Sequence, residues 1–261
     1  MENYINPVLK EEVNSKLEKI SSNPEYYDRR KNLVIQELRS IGDVYSFWIE
    51  NPALRRDLLS ERSQSKALRK LAMHGIQNVS NAWYYLNQIG KFGNFVGELN
   101  QDVIKKVNKL VLGSKGAFNQ YREMDVTLNC PGYTPPSFEK VSSKVKDAIS
   151  RIKMMHNDYG PLESALTAHL ALAAIQPFED GNKRTSRLIQ DRILYDSLIP
   201  PAIIPAGEGT FYLDLLCRTF PPYKGGDVDG QREFYDYCAS KVNNGLDEIL
   251  GDLVIEPAKL H

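Results

Sequence analysis

Apolar residues recur at spacings of three and four along most of this chain, and that period commits it to a mainly helical fold. Residues 8–20 place Val8, Leu9, Val13, Leu17 and Ile20 on one stripe. Residues 26–49 do the same with Leu33, Val34, Leu38, Ile41, Val44, Phe47 and Trp48. The period predicts further helices over 64–89, 101–112, 137–157, 161–175, 183–197, 210–219 and 230–249. Pro135-Pro136 followed by Ser137 and Glu139 gives the 137–157 helix a start signal. Stretches 90–97, with three glycines, and 221–230, rich in Gly, Pro and Asp, read as links.

One segment departs from the helical period. In Asp125-Val-Thr-Leu-Asn-Cys-Pro-Gly-Tyr133, the β-prone run Val126, Thr127, Leu128 is followed by a Pro-Gly turn. This pattern predicts a small β-hairpin between helices. The expected architecture is a helical core over 64–261 carrying the hairpin, preceded by an N-terminal helical region over 1–63.

Charge and composition exclude several function classes. The 33 acidic and 33 basic residues cancel, so no bulk attraction draws the chain to nucleic acid or an anionic membrane. The N-terminus lacks the cationic and apolar regions of a signal peptide, and the apolar run near Leu170 is too short to span a bilayer. Cys130, Cys217 and Cys238 are odd in number and far apart, with no C-x-x-C pair; the expectation is three reduced thiols in a cytoplasmic protein. His74, His156, His169 and His261 share no ligand spacing, so a transition-metal centre is not expected. The sequence carries no signal for oligomeric state.

The chemistry concentrates in Gln176-Pro-Phe-Glu-Asp-Gly-Asn-Lys-Arg-Thr-Ser-Arg187. Pro177 ends the preceding helix, since it lacks an amide donor and drives Gln176 out of the right-handed helical region. Gly181 can take backbone angles closed to other residues, and a new helix starts near Asn182. A glycine loop feeding a helix N-terminus offers unpaired N–H groups and the positive end of the helix dipole, a binding site for phosphate. Arg184 and Arg187, three apart, share a face and can fork onto phosphate oxygens. Asp180 supplies a hard carboxylate suited to Mg²⁺.

This ordered string resembles the signature of the Fic (Fido-domain) family, His-x-Phe-x-(Asp/Glu)-Gly-Asn-(Gly/Lys)-Arg-x-x-(Gly/Arg), matching every position but the first. The resemblance implies a helical Fic fold and transfer of AMP from Mg-ATP to a protein hydroxyl side chain. It implies that Phe178 anchors the loop, that Asp180 holds Mg²⁺, and that Gly181 and Asn182 receive the α- and β-phosphates. Arg184 would take the β-phosphate and Arg187 the γ-phosphate. Gly116 to Arg122, the 125–133 segment and Pro135-Pro136 resemble the family's flap, where Val126, Thr127 and Leu128 would pair with a target protein as an added strand.

Ser46-Phe-Trp-Ile-Glu-Asn51 resembles the family's inhibitory helix, (Ser/Thr)-x-x-x-Glu-(Gly/Asn). In that role Ser46, Glu50 and Asn51 form a brake, with Glu50 pairing Arg187 and keeping it from the γ-phosphate.

Two positions depart from the AMP-transferring pattern. Gln176 stands where the family has its general-base histidine, and an amide cannot take a proton near neutral pH. Loss of a general base costs about 10²–10⁴ in rate. His169 lies two turns back, roughly 10 Å along the helix axis, too far to substitute, and is expected to be a buried structural residue. Lys183 stands where most AMP-transferring members have glycine; members resembling the Doc toxin carry lysine there and transfer the γ-phosphate. Three readings follow: a degenerate protein adenylyltransferase, a non-catalytic nucleotide- or target-binding regulator, and a Doc-like phosphotransferase.

Overall fold

The computed structural model describes residues 3–20, 23–42, 65–113 and 120–255, and within them the helical period is realised as ten α-helices. These are α1 (Pro7–Ile20), α2 (Pro24–Gly42), α3 (Ser65–Asn87), α4 (Phe95–Glu98), α5 (Gln101–Leu112), α6 (Val141–Asp158), α7 (Pro161–Ile175), α8 (Asn182–Asp196), α9 (Gly209–Gly225) and α10 (Val228–Ile255). Short 3₁₀ turns at Phe138–Lys140 and Ala206–Glu208 lead into α6 and α9.

The axis of the fold is α7. Every residue from Leu162 to Ile175 is buried, as expected of a helix that is apolar on all sides. Pro161 occupies its first turn, where the missing N–H costs nothing. Around α7 pack α6, α8, α9 and α10, while α3 bridges α2 and α5. Helices α1 and α2 lie against α10, and their Val13, Ile20, Leu33 and Ile41 belong to the same buried cluster as α7. Truncating a side chain on this axis, Leu166→Ala for example, is expected to cost about 2–5 kcal/mol.

Three expectations are corrected. First, residues 121–137 form no strand. Three β-prone residues are too few to hold a ladder, and the Arg122 side chain ties the segment together instead. Its Nε donates to the Gln176 carbonyl at 2.8 Å, its Nη1 to the Met124 carbonyl at 2.8 Å, and its Nη2 to the Pro136 carbonyl. The flap is therefore an extended loop, with Tyr133 Oη donating to the Ala174 carbonyl at 2.8 Å.

Second, the cysteines are not all thiols. Cys130 and Cys217, 87 residues apart in sequence, are joined by a disulfide across a Cα–Cα distance of 4.9 Å, while Cys238 is free and buried. Only the fold brings that pair together, so spacing could not reveal it.

Third, the expected link at 221–230 begins later. Helix α9 runs through Pro221 and Pro222 to Gly225, and Gly226 in the left-handed region (φ 77°) ends it. Each proline leaves the carbonyl one turn back without its ladder donor, and the helix ends within one turn after them. Among the described residues no helix is long and apolar enough to cross a membrane.

Candidate active site

The signature string folds as a tight loop between α7 and α8. Gln176 caps α7 in the left-handed region (φ 50°, ψ 59°), an uncommon place for a non-glycine residue and strained by about 1–3 kcal/mol. Its buried side chain holds it there. Nε2 donates to the Ala173 carbonyl at 2.6 Å, and Oε1 accepts from Asn182 Nδ2 at 3.0 Å. Asn182 turns inward as well: its Oδ1 accepts from the Phe178 amide at 2.8 Å and its Nδ2 donates to the Phe178 carbonyl at 2.7 Å. The Asn182 side chain thus braces the loop, and only its backbone faces the helix N-terminus. Phe178 is buried against the Tyr121 ring, at 5.5 Å between centroids, the anchoring expected of it.

Gly181 precedes α8 at φ +77°, and a Cβ there would sit 2.8 Å from Asn108 Nδ2. Any other residue would need both the left-handed backbone and a shift of the hydrogen-bonded Asn108 amide. Asn108 on α5 is the brace that requires this close approach, its Nδ2 donating to the Asp180 carbonyl at 2.9 Å and to Thr185 Oγ1 at 3.2 Å. The amides of Asn182, Lys183 and Arg184 find no acceptor among the described residues. Three open donors at the positive end of a fifteen-residue helix are an arrangement able to bind an anion.

Asp180 and Arg184 flank those donors. The exposed Asp180 carboxylate accepts from the Gly181 amide at 2.5 Å and pairs Arg184 at 3.2 Å. Arg184 Nε is buried without a partner, an unsatisfied donor beside the open amides. Among the described residues no group of three or more His, Cys, Asp and Glu side chains gathers as a metal site. A Mg²⁺ held by one carboxylate, phosphate oxygens and water fits this donor set; a protein-caged metal does not. Lys183 is half-buried and its ammonium has no partner among the described residues.

Arg187 lies one turn further along α8 and is engaged. Glu37 of α2 accepts from its Nε at 3.1 Å and from its Nη2 at 2.5 Å, with both side chains buried. Burial pushes the Glu37 carboxyl up to about 8, with the Arg187 charge pulling the other way; burial likewise pushes Asp191 up to about 7. Ser46, Glu50 and Asn51 lie outside the described residues. Within the described residues, the carboxylate that reaches Arg187 is Glu37.

His169 is fully buried, with Nδ1 against Gln190 Oε1 at 2.7 Å and Nε2 against Tyr212 Oη at 2.6 Å. Burial lowers its pKa to about 3, so it stays neutral and structural.

Against known proteins, residues 96–194 match the Fic/DOC family model, a span that contains α5, the flap and the whole signature loop. Residues 96–194 are thus similar to the Fic/DOC family. It is 33% identical over 160 residues to the protein adenylyltransferase fic-1 of Caenorhabditis elegans, a stretch covering 59% of this chain and 29% of the worm protein. The chain thus aligns with less than a third of that relative. Among solved structures it resembles a Fic domain containing signaling protein from Bacteroides thetaiotaomicron, with a TM-score of 0.67 at 17% identity over 92% of this chain and 95% of that one. It also resembles Fic-1 of C. elegans, with a TM-score of 0.61 at 19% identity over 95% of this chain and 74% of that one. At those identities the likeness is one of fold, and this Fic fold is mainly helical.

Glu37 and Asn108 went unnoticed in the sequence, although both left a trace. Each is a polar residue on an apolar stripe, Glu37 between Leu33 and Ile41 and Asn108 beside Ile104 and Val111.

Proposed function

We propose that this chain binds Mg-ATP at the N-terminus of α8 and directs AMP to a hydroxyl side chain of a protein. Pyrophosphate is released and the hydroxyl proton is lost to water, with chemistry slowed by the absence of a base at Gln176. The observation that carries this reading is the set of three acceptor-free amides beside the half-satisfied Arg184 and the exposed Asp180. The nucleotide, when bound, supplies the electrophilic phosphate and Asp180 would hold its magnesium. The Gly181–Arg184 amides and the Arg184 guanidinium would orient the phosphate chain and take up its charge. Gln176 can hold a hydroxyl by hydrogen bonding but cannot remove its proton.

The flap and the brake belong to this proposal. The backbone groups of Val126, Thr127 and Leu128 make no hydrogen bond among the described residues, which leaves them free to take a target segment as an added strand. Glu37, on the arginine reserved for the γ-phosphate, would hold the resting state. Glu50 would act as a second carboxylate from the segment that follows α2.

A second reading, a binding regulator without catalysis, draws on the Gln176 amide being satisfied at both ends within the loop. One experiment separates the readings. The chain and its Gln176→His variant are incubated with α-labelled or γ-labelled ATP, Mg²⁺ and cell lysate. Label from the α position is expected, stronger in the variant. Label from the γ position alone would assign phosphoryl transfer and give Lys183 that role. Tight nucleotide binding with no label from either protein would favour the regulator.

A further inference from the structure

Beside the flap lies a groove of about 250 Å³ that no residue of the signature loop lines. Helix α6 presents Lys144, Asp147, Ala148 and Arg151 to it, spaced for one helical face. Tyr223 and Lys224 from the last turn of α9 form the opposite wall, Tyr133 and Pro136 of the flap the rim, and Ile175 the floor. Ile175 immediately precedes Gln176. The Cys130–Cys217 bond ties the flap rim to α9, so two sides of the groove are covalently joined and its shape is set before anything enters.

Three cations face one carboxylate here, and that carboxylate, Asp147, is already matched by Lys144 at 3.6 Å. Arg151 and Lys224 have no ion-pair partner among the described residues. The Arg151 guanidinium lies 5.0 Å from the centroid of the Tyr223 ring, and the Lys224 ammonium 5.9 Å from that of Tyr133. Lys224 has a local reason to be where it is, since a cation is favoured in the last turn of a helix. Arg151 sits mid-helix, where the ring and hydroxyl of Tyr223 are its neutral partners. In a chain of zero net charge, this surplus is a local arrangement.

We infer that the groove receives an acidic side chain of the protein target, its carboxylate between Arg151 and Lys224 and its methylene stem against Ile175 and Tyr223. This rests on the proposed function only in taking the target to lie along the flap. The groove would then read a glutamate or aspartate near the modified hydroxyl, because its floor adjoins the residue at the catalytic position. A neutral residue would leave both cations with aromatic partners but no carboxylate, which makes the groove a selector of acidic targets.

The full chain is titrated with N-acetyl-tetraglutamyl amide and with the tetraglutaminyl counterpart, following the Ile175 and Ala148 methyl signals by NMR. The glutamyl peptide is expected to shift both and to saturate, and the glutaminyl peptide to do neither. Arg151→Glu and Lys224→Glu are each expected to weaken the glutamyl peptide about tenfold or more, the scale of one lost charged hydrogen bond. Lys224 is exposed, so its variant decides the matter if the Arg151 variant fails to fold. Equal response to the two peptides, shifts confined to other residues, or folded variants that bind like the parent would overturn the inference. So would inorganic phosphate displacing the peptide at equal concentration, the mark of a simple anion site. Calorimetry with Mg-ATP on the same samples keeps the two proposals apart, since loss of nucleotide binding alone counts against the cradle and leaves the groove standing.

Discussion

Arg184 and Arg187 leave the same helix three residues apart and meet opposite surroundings. Arg184 pairs with Asp180 at 3.2 Å in a contact whose carboxylate side chain is 54% exposed, while Arg187 meets Glu37 at 2.5 Å with that side chain 1% exposed. Water screens the first pair, so it is worth about 0–1 kcal/mol and gives way readily to a stronger anion. Neither member of the second can turn to water if the other is lost, so the pair ties α2 to α8. One signature motif thus holds one arginine in a water-screened pair and the other in a buried pair that must open before Arg187 could meet a phosphate.

The comparison breaks or sharpens first on stability. Arg187→Met leaves Glu37 buried without its partner and is expected to cost about 3–5 kcal/mol in urea denaturation. Arg184→Met should cost less than about 1 kcal/mol. Comparable losses would mean that the two arginines do not differ in kind. The double change Glu37→Leu with Arg187→Met should recover most of the loss, because it removes both buried charges together.

Nucleotide affinity is the next test. Arg184→Ala is expected to weaken Mg-ADP and Mg-ATP alike by about 1.5–3 kcal/mol in calorimetry. Glu37→Gly should tighten ATP over ADP by about 1–3 kcal/mol, since only ATP carries the phosphate that competes for Arg187. Equal gains for both nucleotides would remove Glu37 from the role of brake.

The smallest expected effect is on pH. With its carboxyl pushed up to about 8, Glu37 loses negative charge as pH falls from 9 to 7 and competes less for Arg187. The preference for ATP over ADP should therefore rise severalfold over that interval and flatten in Glu37→Gln. Asp191, up to about 7, faces the same arginine and extends the trend to lower pH. The stability sign agrees. A folded state whose carboxyls hold protons that the unfolded chain releases is favoured at low pH, so this contribution falls as pH rises from the ordinary carboxylate range through about 8. A preference that rises with pH would contradict the assignment.

Much of this was legible in residue order. The helices at 101–112 and 161–175 were bounded correctly because each carries its own signals, Asn100 capping one and Pro161 opening the other. The cradle was legible because glycine, arginine and carboxylate fall within a few consecutive residues, where local geometry dictates their meeting. The expected hairpin at 125–133 is absent, since β-propensity carries no information about an arginine that holds the carbonyls on either side of the segment, Met124 and Pro136.

By itself the sequence determined the helical class, the break at Gln176-Pro177, the glycine turn that opens the next helix and the absence of a histidine within it. These follow from period, from proline and glycine stereochemistry and from side-chain chemistry, all of which act over a few residues. Only the tertiary structure decided that Glu37 meets Arg187, that Asn108 crowds Gly181, and that Cys130 reaches Cys217. Each contact joins residues tens of positions apart or more, and a polar residue shows its partner only once packing has closed water out around it.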